Sequence, residues 1–393
     1  MKRTVKDVNL KGKRVLMRVD FNVPLDKSGR ITDDNRIRGA LETIKYIVSS
    51  GAKLILMSHL GRPQGEKKPE YSLAPAALRL SELLGKPVKM LKDCVGAEVK
   101  KEVSAMQPGE VVMLENLRFY KEEEKNNPEF AKALASLGDI FVNDAFGTAH
   151  RAHASTEGVT HYLESVAGFL VQKEIEYFDQ VLKKPKRPFI FILGGAKVSD
   201  KIPVIENMLE RADTLLIGGA MAYTFMKVKG YQIGSSRLEQ ESMPIVEKIL
   251  EKAKSRGVEI VLPLDHVVTD DIEKALNVKV TSAESIEQGF MGVDIGPKTI
   301  RSFCDKISQA KTIVWNGPLG IFENDKFSRG SQEIAKAIAS SKATSVIGGG
   351  DTAACVAKFS LEDKMSHIST GGGASLEYLE GKVLPGIAAL ADK

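Results

Sequence analysis

The chain has 393 residues, 43% of them hydrophobic, and carries 56 Lys and Arg against 51 Asp and Glu, a net charge of +5. So mild a balance excludes the strongly basic face of a nucleic-acid binder, and so large an apolar fraction excludes a disordered or fibrous chain. No apolar run approaches the ~20 residues of a membrane helix and residues 1–13 hold no signal-peptide core, so a cytosolic protein without membrane or nucleic-acid partners is expected.

The length suggests two domains. The cationic excess lies in residues 1–184, which hold 30 Lys and Arg against 25 Asp and Glu, and a small anionic ligand suits it. Cys94, Cys304 and Cys355 are too few and too scattered for a disulfide framework or a zinc site, and read as small buried residues.

Short apolar runs at residues 14–19, 54–57, 111–114 and 140–142 alternate with helical stretches. The rhythm returns at 189–193, 214–217, 259–262, 312–315, 345–347 and 367–369. Such alternation predicts an α/β protein with parallel sheets built from βαβ units. Residues 171–184 read as an amphipathic helix with Ile175, Phe178, Val181 and Leu182 on one side, ending in the KKPKRP stretch that begins at Lys183. Two lobes joined by this helix are expected to face each other across a cleft. In open parallel sheets ligands bind beyond the carboxyl ends of the strands.

In the first half those ends are polar and cationic. They carry Asp20 and Asn22, then His59 and Arg62, then Asn116 and Arg118, then Asn143 and Asp144 followed by His150, Arg151 and His153, with Arg36 just after the first loop. Arginine's planar fork matches carboxylate and phosphate oxygens, so Arg36, Arg62, Arg118 and Arg151 with His59 suit a small, doubly anionic substrate. The competing reading pairs these arginines on the surface with Asp33, Asp34 and Glu122 to Glu124.

In the second half glycines take over the strand ends. FIFILGGAKVSDK, beginning at Phe189, reads as a buried strand, a Gly194-Gly195 turn and a helix start carrying Lys197 and Lys201 on one face, a cradle for a polyphosphate. Gly218-Gly219, Asn316-Gly317-Pro318, Gly348-Gly349-Gly350-Asp351-Thr352 and Gly371-Gly372-Gly373 repeat the pattern, and Asp351 is the candidate to hold a magnesium ion carried in with nucleotide phosphates. The Walker pattern is absent. Gly348, Gly350 and Ala353 fit a loose dinucleotide fingerprint, but the following strand lacks the acidic residue that would receive an NAD ribose. An NAD-dependent dehydrogenase and a non-catalytic nucleotide-binding protein remain as alternatives.

RVLMRVDFNVP from Arg14, SHLGRP from Ser58, LENLRF from Leu114, NDAFGTAHRAHAS from Asn143, GGAKVSDK from Gly194, WNGPLGIFE from Trp315, GGGDTA from Gly348 and STGGGASLEYLEGKVLPG from Ser369 together resemble the phosphoglycerate kinase family, in its order and across the chain. The resemblance implies two Rossmann-like lobes, each a mainly parallel sheet of about six strands flanked by helices. Residues 1–170 would take the acid substrate, 171–184 form the connecting helix, 185–375 bind nucleotide, and 376–393 return to the first lobe. The implied reaction moves a phosphoryl group from 1,3-bisphosphoglycerate to Mg-ADP, giving 3-phosphoglycerate and Mg-ATP, in a monomeric enzyme that closes about a hinge.

By matching motifs, Asp20, Asn22, Arg36, His59, Arg62, Arg118 and Arg151 would form the acid site. Arg36 would face the carboxylate end, His59, Arg62, Arg118 and Arg151 the far phosphate, and Asp20 and Asn22 the substrate hydroxyl. Lys197 and Lys201 would contact nucleotide phosphates along the Gly194-Gly195 turn, with Gly349 and Thr352 in the second glycine loop. Glu323 would bind the ribose and Asp351 the magnesium, while Gly219, Gly292, Asn316 and Pro318 would line the nucleotide cleft. Arg36, Lys197 and backbone N–H groups at Gly350 and Gly373 would surround the transferring group.

Overall fold

The fully apolar runs become the centres of two parallel sheets, as strands covered on both faces should. The structure, a computed structural model, describes residues 1–393 and divides into two compact units, Met1–Glu176 with Val383–Lys393, and Tyr177–Lys382.

In the first unit, β1 (Arg14–Val19), β2 (Lys53–Met57), β3 (Val88–Met90), β4 (Val111–Met113), β5 (Ile140–Asp144) and β6 (Glu164–Ala167) lie in the order β3-β4-β2-β1-β5-β6. Every ladder is parallel. Alternate residues Val15, Met17 and Val19 share a core with Leu54 and Leu56 and with Ile37, Ile44 and Ile47 of the helix Asn35–Ser49. This is the period of two meeting the period of 3.6. β3 and β6 were not expected from the sequence; they are short edge strands.

The chain returns to this unit at its end. The Asn143 side chain donates to Gly386 O at 2.9 Å, and Ala391 N donates to Ser165 O at 2.9 Å. The returning segment is Val383–Lys393, so residues 376–382, expected to travel with it, belong to the second unit.

The connecting helix is Phe169–Lys183, starting two residues before the expected position. Asp144, at the end of β5, explains the start: its Oδ1 accepts from the backbone N–H groups of Leu170 and Val171 at 2.9 and 3.3 Å. A carboxylate there satisfies orphan donors and complements the helix dipole. Burial pushes the Asp144 carboxyl up to about 7.

In the second unit, β7 (Phe189–Leu193), β8 (Thr214–Ile217), β9 (Glu259–Val261), β10 (Thr312–Asn316), β11 (Thr344–Gly348) and β12 (His367–Ile368) form a six-stranded sheet in the order β9-β8-β7-β10-β11-β12. Asn316 stands in register with Leu193 on one side and Gly348 on the other, which brings three of the expected turns to one level. A three-stranded antiparallel sheet of Asp265–Thr269, Val278–Ser282 and Met291–Ile295, and a two-stranded pair of Gln232–Ile233 with Ser285–Ile286, were not foreseen. No helix in either unit is long and apolar enough to cross a membrane.

Candidate active site

At the carboxyl edge of the first sheet the expected cationic groups come together. His59 is 4% exposed, and Arg18, Arg118, Arg36 and His153 all lie close enough to oppose its protonation, which, with burial as the largest cause, pushes its pKa well below the usual histidine range. Arg118 is likewise pushed down, first by burial and also by Arg151 and Arg62. The His153 imidazole falls to about 3, again chiefly through burial and then through Arg18, Arg118 and Arg151. A set of cations that depress one another is an unfavourable arrangement until an anion enters it.

Fixed hydrogen bonds aim the set. Arg36 Nη1 donates to Asp20 Oδ2 at 2.9 Å, and Asn22 Oδ1 accepts from Gly61 N at 2.9 Å. Arg118 Nη1 donates to Gly61 O at 2.8 Å, and its Nε lies 3.2 Å from Glu124. The surface-pairing alternative therefore holds in part for Arg118. Asp34 instead serves Arg38 and Arg79. Arg62 is exposed, and Arg151 Nε donates to His150 at 3.2 Å.

A larger groove of about 830 Å³ in this unit, between residues 29–38 and the helix Ala74–Leu84, contains none of the expected residues. Its arginines Arg30, Arg38 and Arg79 are each paired with a carboxylate.

In the second unit the strand-end loops are stitched into one platform. Gly194 N donates to Asn316 O at 3.0 Å, and Gly195 N to Pro318 O at 2.9 Å. Asn316 Nδ2 donates to Gly348 O at 2.9 Å, while Lys201 Nζ donates to Asn316 Oδ1. Gly317 N donates to the Thr352 hydroxyl oxygen at 2.7 Å. Gly194 is glycine for a packing reason: a Cβ there would meet Pro318 O at 2.1 Å.

Above the platform lies a cleft of about 360 Å³ whose walls include Gly195, Gly219, Gly292, Pro318, Glu323 and Asp351. Glu323 and Asp351 are exposed, whereas Thr352 and Asn316 are buried beneath. Gly349 is half-buried and Gly350 exposed at the start of the helix Gly350–Lys358, and Gly373 opens the helix Gly373–Leu379. Gly292 faces Tyr223, whose hydroxyl occupies the place a Cβ would take, 1.6 Å from it.

One expectation is corrected. Lys197 and Lys201 do not share a helix face: Lys197 lies in an exposed loop, Ser199–Lys201 is a 3-10 turn, and the α-helix Ile202–Met208 begins only afterwards, with proline in its first turn. The Gly194-Gly195 turn therefore meets the neighbouring strand-end loops directly. Lys201 is half-buried and its pKa is lowered, chiefly by burial.

Sequence reasoning missed several residues. Arg18 and Ser155 lie buried beneath the cationic cluster, together with Glu123, which the competing reading placed at the surface, and Tyr223 and Asp294 line the cleft. Burial raises the Asp294 carboxyl to about 7 while it accepts from Gly330 N at 2.6 Å and Ile295 N at 2.9 Å. For Arg18, between Met17 and Val19, and Asp294, between Val293 and Ile295, a charge flanked by apolar residues was the available signal, since a charge there must find partners; Glu123, between two glutamates, gave none.

A cluster of cationic side chains at one sheet edge and a glycine-lined cleft at another are the features an α/β enzyme of phosphoryl transfer requires. The model of the phosphoglycerate kinase family matches residues 5–382. Phosphoglycerate kinases of Chloroherpeton thalassium and Dictyoglomus turgidum are each 58% identical to the chain, over 395 and 390 residues, covering 100% and 99% of it and 99% and 98% of themselves. The solved phosphoglycerate kinase of Coxiella burnetii is 42% identical with a TM-score of 0.91, and that of Pyrococcus horikoshii 36% identical with a TM-score of 0.83; each match covers 99% of this chain and 98% of the other. The chain belongs to the phosphoglycerate kinase family. It is a phosphotransferase of glycolysis that forms ATP from ADP and 1,3-bisphosphoglycerate.

Proposed function

We propose that each unit carries one half of the reaction. The observation that supports this best is the cluster of Arg36, Arg62, Arg118 and Arg151 around His59: Arg36 and Arg118 oppose protonation of His59, Arg62 and Arg151 oppose the charge of Arg118, and a dianionic ligand would relieve both. His59, Arg62, Arg118 and Arg151 would hold the far phosphate of 3-phosphoglycerate or 1,3-bisphosphoglycerate. Asp20 and Asn22 would orient its hydroxyl, and Arg36, steadied by Asp20, would face the reacting carboxylate.

On the second unit, Gly194, Gly195, Lys201, Gly349 and Thr352 would form the floor under the ADP or ATP phosphates, Glu323 would accept from the ribose hydroxyls, and Gly219, Gly292, Asn316 and Pro318 would shape the cleft. Lys197, free of the helix and exposed, would reach the transferring group together with the backbone N–H groups of Gly350 and Gly373.

No group of three or more His, Cys, Asp or Glu side chains is arranged to hold a metal ion. The single Asp351 carboxylate in the first turn of its helix fits a magnesium ion that brings phosphate oxygens and waters as its other ligands. When bound, that ion would neutralise phosphate charge. The protein's own task is positioning and charge stabilisation, with no covalent intermediate on a side chain. Direct transfer demands that carboxylate and phosphorus meet in line with water excluded, so turnover requires hinge closure. We further propose a monomeric, cytoplasmic enzyme.

A coupled assay with 3-phosphoglycerate, ATP and magnesium tests this reading. ADP formation that requires all three supports it; nucleotide binding without turnover would leave a binding protein, and NAD reduction a dehydrogenase.

A further inference from the structure

We propose that Arg18 is a positioning residue of the acid half-site, which locks His59 in its neutral Nε2–H tautomer so that the ring offers one fixed hydrogen-bond donor to the anionic substrate. The inference rests on the assignment of His59 to the acid-substrate site.

Arg18 sits one residue from the end of β1, in register with Met57 of β2 and Asn143 of β5, and is 1% exposed. Each of the three guanidinium nitrogens has a partner at the sheet edge. Nε donates to the Ser155 hydroxyl oxygen at 2.8 Å, Nη1 donates to the Val19 carbonyl, and Nη2 lies 3.1 Å from His59 Nδ1.

A guanidinium has donors and no acceptor. The Nδ1 atom it meets must therefore present a lone pair, and the single ring proton is left on Nε2. Neither the Nδ1–H tautomer nor the imidazolium can make this contact without setting two N–H groups against each other.

The buried charge of Arg18 has its own counterweight. Glu123, also 1% exposed, accepts from the Ser155 hydroxyl at 2.5 Å and from Ser155 N at 3.0 Å. Ser155 thus accepts from Arg18 and donates to Glu123, joining cation and anion through one hydroxyl. A buried arginine satisfied in this way is held in one geometry, and it holds the histidine in turn.

The surroundings act in the same direction. Arg18 faces His59 from β1, Arg36 from the helix Asn35–Ser49, Arg118 from the turn after β4 and His153 from the loop after β5. The nearby carboxylates, Asp20 and Glu123, are engaged with Arg36 and Ser155. Another cation would add repulsion to this cluster. A neutral ring supplies a directional donor without that penalty and keeps it throughout the physiological pH range.

The test is ring-nitrogen NMR of the full chain labelled with 15N-histidine, with His59 among the six histidines assigned by its loss in His59→Gln. The expected result is a neutral Nε2–H pattern for His59 that stays constant between about pH 6 and pH 8. An Nδ1–H pattern, or a titration in that window, would overturn the proposal in the native protein.

The second arm replaces Arg18→Met together with Glu123→Gln, so that no carboxylate is orphaned. The KM for 3-phosphoglycerate, taken as a ratio to that of the unaltered protein, should change more than about threefold between about pH 6 and pH 8, with the KM for ATP unmoved. A ratio independent of pH would assign Arg18 a purely structural role. If the tautomer is as expected but His59→Gln and the double variant leave the KM for 3-phosphoglycerate unchanged, the acid-site assignment fails and the Arg18–His59 contact stands apart from it.

Discussion

Replacing Arg118→Met removes a cation from the centre of the acid cluster while keeping most of the side chain's bulk. In the folded protein Arg118 spends one N–H on the Gly61 carbonyl and directs Nε toward Glu124, which leaves the rest of its fork for an incoming phosphate. A hydrogen bond to a charged group contributes about 1.5–3 kcal/mol, which corresponds to a KM for 3-phosphoglycerate raised about 10- to 150-fold. Stability should respond little, because the lost Gly61 bond costs about 1 kcal/mol while relief of repulsion from Arg62 and Arg151 offsets part of it. The assay is steady-state kinetics at saturating ATP and then at saturating 3-phosphoglycerate, beside thermal unfolding. A KM for 3-phosphoglycerate within about threefold of the parent, or an equal rise in the KM for ATP, would refute the assignment.

Three further outcomes follow from single contacts. Gly194→Ala drives a methyl into Pro318 O and should destabilise the second unit by about 1–3 kcal/mol with loss of nucleotide affinity, whereas Gly350→Ala meets nothing within 4 Å and should leave the melting temperature unchanged while lowering kcat; equal melting temperatures for the two would contradict the packing. The Asp144 carboxyl, raised to about 7 by burial against an unfolded value of about 3.9, binds its proton more tightly when folded, so its contribution to stability is present at low pH and lost as pH rises through about 7. Asp144→Asn should therefore gain about 3 kcal/mol relative to the parent between about pH 5 and pH 8 in urea unfolding, and a relative loss over that interval would reverse the sign. Lys197→Ala should depress kcat far more than it weakens ATP binding, while Glu323→Ala should chiefly raise the Kd for nucleotide; the opposite pattern would exchange their roles.

The central strands were legible because burial on both faces writes them as mostly apolar runs, broken in β1 by Arg18. β1, β7 and β8 fall on the expected residues. The edge strands were not: Val-Lys-Met of β3 is three half-exposed or exposed residues, and β6 begins on an exposed glutamate. The antiparallel sheet hid for another reason. Asp265–Thr269 and Met291–Ile295 mix polar and apolar residues, and they become strands by pairing with each other across distant stretches of chain.

The candidate site divides along the same line. Arginines and glycines at the ends of apolar runs announce themselves, and the structure gathers them. The shared helix face for Lys197 and Lys201 failed because their spacing was read without Pro203, whose ring favours the first turn of a helix and marks the true start. Arg18 escaped notice, and Glu123 was expected at the surface, because a partner brought in by the fold, Ser155 at a separation of 137 and 32 residues, is what makes their burial possible.

The division of labour between the two units is tested most directly by backbone amide NMR of the full chain, titrated separately with 3-phosphoglycerate and with Mg-ADP. The acid alone should shift amides around His59, Arg62, Arg118 and Arg151, and the nucleotide alone those around Gly195, Gly219, Glu323 and Asp351. Shifts from 3-phosphoglycerate centred on the glycine-lined cleft, or from Mg-ADP centred on the arginine cluster, would contradict the assignment of the two half-sites.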